Sequence, residues 1–212
     1  VARHIGKGQY VLLPAEMVSG TGQYVQDSFV VLAQVMAVAR QEYAAAYVTA
    51  AYLHGLMEQI PQVTQAMIAR RRRDIHIHES QVIEFVVVSP WKMFGITQIR
   101  HLQEDLAITD VEKTILDCLD RLDLTGGVSQ VAQILKMASD EKKINEKKLI
   151  QYAKKMRSKA LIQRLGYLLE RTKLLPDARK ALQRLRQAVP TPLDPRSPRR
   201  GNLNRIWQVI EN

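Results

Sequence analysis

The chain has 212 residues, of which 46% are apolar and 25% are charged, and its formal net charge is +10. This composition excludes wholesale disorder, and the single cysteine, Cys118, excludes an internal disulfide framework. The single cysteine makes a reducing cytoplasm the expected location. We find no signal peptide and no apolar run long enough to cross a bilayer. The length suits one domain, or one domain with a small appendage.

The positive charge is confined to the second half of the chain. Residues 1–106 contain nine Lys and Arg against nine Asp and Glu, whereas residues 107–212 contain twenty-two against twelve. Such asymmetry indicates a polyanionic partner, of which nucleic acid is the commonest. A lysine-rich solvated surface is the alternative, and charge alone leaves both open.

The first part of the sequence predicts a hairpin followed by two helices. Residues 4–14 contain a glycine-rich turn at 6–8 and a short β-prone run at 10–13. Asp27 or Ser28 is placed to cap a helix over residues 30–39, and a second helix is predicted over residues 48–57.

The middle of the chain predicts a small mixed sheet. The predicted strands are short and rich in β-branched residues, and they cover residues 63–69, 75–78, 82–88 and 95–99. A basic run lies between the first two of these strands and consists of Arg70, Arg71, Arg72 and Arg73.

The second half predicts helices and then one strand. Apolar residues at helical spacing predict five helices, over residues 110–122, 128–138, 146–155, 158–171 and 176–188. A proline-rich segment at 190–198 ends this pattern, and residues 204–210 predict a terminal strand. The chain is therefore predicted to be α+β, with a sheet-rich region at 62–109, a helical region at 109–188 and the strand at 204–210.

The segment ITDVEKTILDCLDRLDLTGG, residues 108–127, concentrates carboxylates that could form an active site or support a helix. On a helical wheel, Asp110, Asp117 and Asp120 lie on one face together with Lys113 and Arg121. The opposite face is apolar and consists of Val111, Ile115, Cys118, Leu119 and Leu122.

We predict that these carboxylates are exposed and paired with cations one helical turn away, which is a structural role. Thr109 and Glu112 have the spacing of a capping box at the start of the same helix. A catalytic pair would instead need shielding from water and shifted pKa values. Cys118, on the apolar face, is predicted to be a buried thiol.

Motifs along the chain resemble the AbiEi-type antitoxins in their order. ITDVEKTILD resembles the family signature D-x-E-[RK]-T-[LI]-[LI]-D, and AAYLHGL, residues 50–56, resembles its L-H-G-L helix. SKALIQRLGYLLE, residues 158–170, is close to its L-x-R-L-G-Y-L-L segment. Residues 70–73, followed by Phe-Gly at 94–95, resemble its basic strand turn and F-G element, and GKGQYVLLP at 6–14 resembles the wing of its winged helix.

The resemblance implies a transcriptional regulator and antitoxin of a bacterial type IV toxin–antitoxin system, of the kind involved in phage resistance. Its winged helix would bind operator DNA, and its C-terminal domain would neutralise a nucleotidyltransferase-like toxin without catalysis. We assign residues 1–14 to a remnant of the wing and residues 27–212 to the antitoxin domain. The helix–turn–helix that precedes the wing in the family is not found here, so we expect little base readout in the major groove.

The predicted DNA contacts are cations of the wing, of the basic turn and of the helices between residues 142 and 173, where eleven Lys and Arg stand against two glutamates. They are Arg3, Lys7, Arg70, Arg71, Arg72, Arg73, Lys147, Lys148, Lys154, Lys155, Arg157, Lys159 and Arg164. No catalytic residue, cofactor or metal is predicted. His76 and His78 alternate on one strand but have no third ligand nearby in sequence.

Two rival functions also fit the sequence. A nuclease or nucleotidyltransferase would use Asp110, Asp117 and Asp120 with Mg²⁺, which needs carboxylates that face inward. A pure protein-interaction module would present the basic helices to an acidic partner. Turnover of nucleotide or DNA with Mg²⁺ distinguishes the first rival, and salt-dependent DNA binding distinguishes the second.

Overall fold

The computed structural model describes residues 2–6, 9–12, 27–78 and 81–212, and for residues 2–6, 9–12 and 78 it describes the backbone alone. The predicted α+β class is confirmed. The chain divides into two compact units. Unit 1 is Val1–Thr49 with Pro61–Thr109, and unit 2 is Ala50–Ile60 with Asp110–Asn212.

Unit 1 is built around a mixed sheet. The strands are β3 (Tyr43–Ala45), β4 (Val63–Ile68), β5 (Ile75–His78), β6 (Gln81–Val87), β7 (Ile96–His101) and β8 (Glu104–Thr109). They lie in the order β5-β6-β4-β3-β8-β7. β4 is parallel to β6, from Val63 opposite Val82 to Ile68 opposite Val87, and β3 is parallel to β8. The remaining pairs of this sheet are antiparallel.

One helix, α1 (Ser28–Ala39), packs on β6 and β8 of this sheet. Asp27 caps it, as predicted, because its Oδ1 accepts hydrogen bonds from the N–H groups of Phe29 at 2.8 Å and Val30 at 3.2 Å. The other carboxylate oxygen lies 2.8 Å from Nε2 of His101, at the end of β7. The cap therefore also joins the helix to the sheet.

The strands β3 and β8 are not predicted from the sequence. β3 has only three residues, Tyr-Ala-Ala, and β8 begins with two acidic residues, so neither shows the β-branched run typical of a strand. β3 is fixed by pairing with β4 and β8, and β8 by pairing with β7. Long-range pairing, not local preference, places both strands.

The predicted N-terminal hairpin is confirmed. β1 (Ala2–Gly6) and β2 (Gln9–Leu12) are antiparallel, with Ala2 opposite Leu12 and His4 opposite Tyr10. The predicted turn between them, which contains Lys7, lies outside the described residues.

A second short helix, α2 (Tyr47–Leu53), begins in unit 1 and continues into unit 2. It ends before the predicted residue 57 because Gly55 adopts φ +70°, and the N–H of Leu56 donates to the carbonyl of Ala51 at 2.8 Å.

Unit 2 is mainly helical. Its further helices are α3 (Val111–Asp120), α4 (Leu122–Thr125), α5 (Val128–Asp140), α6 (Glu146–Lys155), α7 (Lys159–Arg171) and α8 (Pro176–Gln183). α3 is central, because it packs against α5, α6 and α7, while α8 packs against α6 and α7. The predicted bounds of α6 are confirmed, whereas α8 ends five residues before the predicted residue 188.

The end of the chain forms a small sheet on α7, not the single predicted strand. The strands are β9 (Thr191–Pro192), β10 (Asn202–Asn204) and β11 (Val209–Glu211), in the order β10-β11-β9. The prediction of one strand over residues 204–210 is wrong, because the N–H of Trp207 donates to Asn204 Oδ1 at 2.9 Å and turns the chain. Within the described part of the chain, no helix has the length and apolar character needed to span a bilayer.

Candidate nucleic-acid interface

The signature helix α3 starts at Asp110, not at Thr109. Thr109 pairs with Ile96 as the last residue of β8, so it cannot serve as the cap. Asp110 takes that position, and its Oδ1 accepts a hydrogen bond from the N–H of Lys113 at 3.0 Å. The predicted capping box of Thr109 and Glu112 is therefore wrong by one residue.

The first two acids of the signature bind α6. The Lys148 ammonium lies 3.0 Å from Asp110 Oδ2 and 3.0 Å from Glu112 Oε2. Tyr152 donates its hydroxyl to Asp110 at 3.1 Å, and Glu112 accepts the N–H of Asn145 at 2.7 Å. These carboxylates join α3 to α6, which is a structural role.

Lys148 is consequently engaged by two carboxylates of unit 2, although its side chain is 36% exposed. Burial alone would lower the pKa of Lys148, but the hydrogen bonds to Glu112 and Asp110 outweigh it and raise that pKa above its ordinary value. A phosphate would have to displace two carboxylates to reach this ammonium. We therefore remove Lys148 from the predicted DNA contacts.

The pair formed by Lys113 and Asp117 contradicts the predicted exposure of the carboxylate face. The two side chains form an ion pair one turn apart on α3 and are 0% and 3% exposed. The helical wheel predicts one buried face, but α3 is covered by α5, α6 and α7. All residues from 112 to 119 are buried as a result.

The remaining acids of the segment also have cationic neighbours. Arg121 donates to both carboxylate oxygens of Asp123, at 2.7 to 3.2 Å, and these bonds hold the pKa of Asp123 below its ordinary value. Asp120, half-buried, contributes a favourable electrostatic interaction with Arg164. Cys118 is fully buried, and this burial raises the pKa of its thiol to about 12, so it is poorly suited to act as a nucleophile.

Two hydrogen bonds define how α6, α7 and α8 are arranged. Glu146 Oε2, in the first turn of α6, accepts the N–H of Ala178 in the first turn of α8 at 2.9 Å. Lys159, the first residue of α7, donates its ammonium to the carbonyl of Leu185, just beyond the end of α8, at 3.1 Å. The end of α6, the start of α7 and the end of α8 therefore meet at one end of unit 2.

This meeting point, which we call the basic end, collects cations from three segments. Residues 154–159 and 183–186 contain no acidic residue. Its exposed cations are Lys154, Lys155, Arg157, Lys159 and Arg184, and Arg186 is half-buried beside them. Four of the predicted DNA contacts are thus brought together, whereas Lys147 lies in the first turn of α6, away from this end.

Arg164 is a second correction to the predicted contacts. It is 8% exposed, and its Nε donates to the carbonyl of Pro192 at 3.0 Å. Burial lowers the pKa of this guanidinium. The Arg164 side chain extends from α7 to the carbonyl of Pro192 in β9, so it joins the helix to the C-terminal sheet. Its burial leaves it poorly placed to contact a phosphate.

The basic turn lies in unit 1. Arg70, Arg71 and Arg73 are exposed, while Arg72 places its guanidinium 5.6 Å from the centre of the Phe85 ring. Residues 71–74 line an open concavity of about 840 Å³. The turn is therefore a basic surface of unit 1. The backbone of Arg3 lies in β1, but its side chain, like Lys7, is outside the described residues.

The comparisons with known proteins decide the family. The family model of the AbiEi antitoxin C-terminal domain matches residues 43–171. The chain belongs to this family. The match begins at β3 and includes the signature helix α3 and all of α7, so it confirms the resemblance seen in the sequence. Membership supports an antitoxin role, and an antitoxin implies a toxin as its partner.

The fold has a solved counterpart. The crystal structure of the RV2827C protein from Mycobacterium tuberculosis is similar, with a TM-score of 0.69 and 15% sequence identity. The alignment covers 97% of this chain and 73% of that chain, and at this identity it shows the fold alone. No curated protein matched the chain.

Proposed function

We propose that this AbiEi-family chain is an antitoxin and a DNA-binding transcriptional repressor of a type IV toxin–antitoxin operon, acting by binding and not by catalysis. Its toxin partner would be a nucleotidyltransferase-like protein, as the family resemblance implies. Family membership supports the antitoxin part of this proposal. The basic end supports the DNA-binding part.

The observation that carries DNA binding is the convergence of cations from α6, α7 and α8. Five exposed cations lie on two short segments whose sequences contain no acidic residue. A phosphate backbone fits such a surface, and binding would release condensed counterions. Interactions of this kind position a protein on DNA without reading its sequence.

Helix-dipole effects explain only part of this arrangement. Lys154 and Lys155 occupy the last turn of α6, where a positive charge is favourable by about 0.3–1 kcal/mol. Lys159 occupies the first turn of α7, where the dipole opposes a positive charge, and Arg157 lies in the left-handed region with φ +54°. The dipole of α7 therefore does not account for Lys159, whereas an anionic partner would.

The test is a titration of a labelled duplex at several salt concentrations. A variant with Lys154, Lys155, Arg157 and Lys159 changed to alanine should reduce the slope of log K against log salt, by about 0.9 for each phosphate that is no longer neutralised. Its matched control changes Lys136, Arg171, Lys173 and Lys180, which are also three lysines and one arginine, all exposed. The control also includes a left-handed residue, Lys173, with φ +58°.

The control variant should bind DNA nearly as the parent does, since it removes the same charge from other places. Circular dichroism of both variants checks that the helices persist. If the basic-end variant binds as tightly as the control at every salt concentration, the basic end does not contact DNA.

A second candidate function uses the same cations against an acidic surface of a partner protein. The same two variants separate the candidates when neutralisation of the toxin is measured beside DNA binding. If the basic-end variant no longer neutralises the toxin but still binds DNA as the parent does, the protein-interaction function is favoured over DNA binding.

The enzymatic rival is disfavoured by the partners of its carboxylates. Asp117 is buried against Lys113, and Asp110 is bound by Lys148 and Tyr152. A Mg²⁺ site needs oxygens that are free to face the ion. Absence of Mg²⁺-dependent turnover of nucleotide or DNA by the purified chain is the expected result.

A further inference from the structure

The loop after β9 is held in one shape by local turns. The N–H of Ser197 donates to the carbonyl of Asp194 at 3.2 Å, and the Asp194 carboxylate accepts the N–H of Arg196 at 2.9 Å. Pro195 and Pro198 restrict the backbone further, because the proline ring fixes φ. The loop therefore has few conformations to lose on binding.

Asn212 ties this loop to the end of the chain. Its side-chain amide donates to the carbonyls of Asp194 at 2.8 Å, Ser197 at 3.1 Å and Pro198 at 3.0 Å. Its Oδ1 accepts the N–H of Asp194 at 3.1 Å. One amide thus fixes the backbone just before a run of two arginines.

The arginines of this region are exposed on a fixed backbone. Arg196 is held in a two-pronged pair with Asp194. The guanidinium groups of Arg199, Arg200 and Arg205 are exposed, and none makes a hydrogen bond or ion pair with the described residues. We call residues 194–205 the arginine loop. The loop contains the sequence Ser-Pro-Arg-Arg, residues 197–200, but its arginines are not among the DNA contacts predicted from the sequence.

Two apolar side chains are exposed beside these arginines. Leu203, on β10, is 44% exposed, and Ile206 in the following turn is 47% exposed. β10 is an edge strand of its sheet, so this side of the hairpin is open within the described structure. Apolar side chains next to arginines are used by minor-groove proteins as wedges between base steps.

We propose that the arginine loop places Arg199 and Arg200 in the minor groove of A·T-rich duplex DNA. The inference rests on the proposed DNA-binding function and adds a second DNA-binding surface, distinct from the basic end. The Arg200 N–H donates to the Pro198 carbonyl at 2.7 Å, so the two arginines stand on a tight bend. The minor groove is about 6 Å wide and too narrow for a helix, whereas the major groove admits a helix or a two-stranded ribbon, so inserted arginine side chains suit the minor groove. Narrow A·T tracts have an enhanced negative potential that attracts arginine.

The experiment measures binding of the full chain to three duplexes of equal length. The duplexes differ only in their central base pairs, which are A·T, G·C or inosine·C. Inosine lacks the minor-groove amino group of guanine but keeps its major-groove edge. A minor-groove reader should therefore bind the A·T and inosine·C duplexes alike, and about tenfold more tightly than the G·C duplex. A minor-groove ligand such as netropsin should compete for the A·T duplex.

The variant Arg199→Ala/Arg200→Ala should lose this preference. Its matched control, Arg171→Ala/Lys173→Ala, removes two exposed cations at the end of α7 and should keep it. Asn212→Ala, which frees the loop backbone, should weaken the discrimination between duplexes without changing the salt slope. Asn212 is thus a positioning residue, and a merely structural role would not alter base preference alone.

Three outcomes would overturn the proposal. The inosine·C duplex could behave like the G·C duplex, the arginine variant could keep the parent's preference, or it could weaken all three duplexes equally, as a change at the phosphate backbone would. If the parent binds no duplex at any salt concentration, the proposed DNA-binding function fails as well, and this result is distinct from the other three.

Discussion

The ammonium of Lys113 and the carboxylate of Asp117 form an ion pair inside unit 2, one turn apart on the signature helix. Both side chains are buried among α5, α6 and α7. Removing one partner of such a pair leaves an uncompensated charge in a low-dielectric interior.

We therefore expect Asp117→Ala to lower the free energy of unfolding by about 3–5 kcal/mol, measured by chemical denaturation. Asp123→Ala is the control, because Asp123 pairs with Arg121 at the surface and its loss should cost at most about 1 kcal/mol. Equal midpoints for the two variants would show that the Lys113 ammonium is not confined to the interior.

A second prediction concerns Lys148, which binds Asp110 and Glu112. Lys148→Met keeps an unbranched apolar stem but removes the ammonium group and its charge, so the unfolding free energy should fall by about 1–3 kcal/mol. Lys147→Met, at the exposed neighbouring position, should change it by less than about 0.5 kcal/mol. Lys148→Met should leave the salt slope of DNA binding unchanged, and a flatter slope for this variant would restore Lys148 to the interface.

Gly166 and Trp207 provide a third prediction. A Cβ on residue 166 would lie 1.9 Å from Cζ3 of the Trp207 ring, and Trp207 is fixed because its indole N–H donates to Glu170 at 3.0 Å. Gly166→Ala should therefore destabilise unit 2 by about 1–3 kcal/mol, although alanine is the better helix former.

The matched background for this test is Trp207→Ala, which removes the obstructing ring. In that background Gly166→Ala should instead stabilise α7 by about 1 kcal/mol. A destabilising effect of the same size in both backgrounds would mean that the clash with the indole is not the cause. Thermal unfolding of the parent, of each single variant and of the double variant measures these changes in stability.

The fourth prediction is a pH dependence that arises from Cys118. Burial raises the pKa of the folded thiol to about 12, while the unfolded thiol ionises near its ordinary value of 9.0. The unfolded chain therefore loses this proton first as pH rises, so the thiol's contribution to stability falls progressively between about pH 9 and pH 12. The difference in stability between the parent and Cys118→Ala isolates this contribution from other titrating groups.

The same burial predicts that a thiol reagent at pH 8 labels Cys118 only when the chain unfolds. Labelling followed through a urea titration should coincide with the unfolding curve from circular dichroism. Rapid labelling in the absence of urea would place the thiol at the surface instead.

Much of the local structure of this protein is determined by the sequence itself. The bounds of α6, the Asp27 cap and the N-terminal hairpin all follow from spacing, caps and turn residues, because these signals act over a few neighbouring positions. The family is likewise legible in the sequence, since its motifs are short and occur in order. Short elements without a local signal, such as β3, escape this reasoning.

Only the tertiary structure decides which charges are available for function. A helical wheel assigns one buried face to α3, but three packed helices bury Lys113 and Asp117 as well. Arg164 is enclosed by Pro192, twenty-eight residues away, and the arginine loop is fixed by Asn212 at the end of the chain. The physical reason is that the burial and pairing of a charge depend on which distant segments pack around it, and local sequence spacing does not specify those segments.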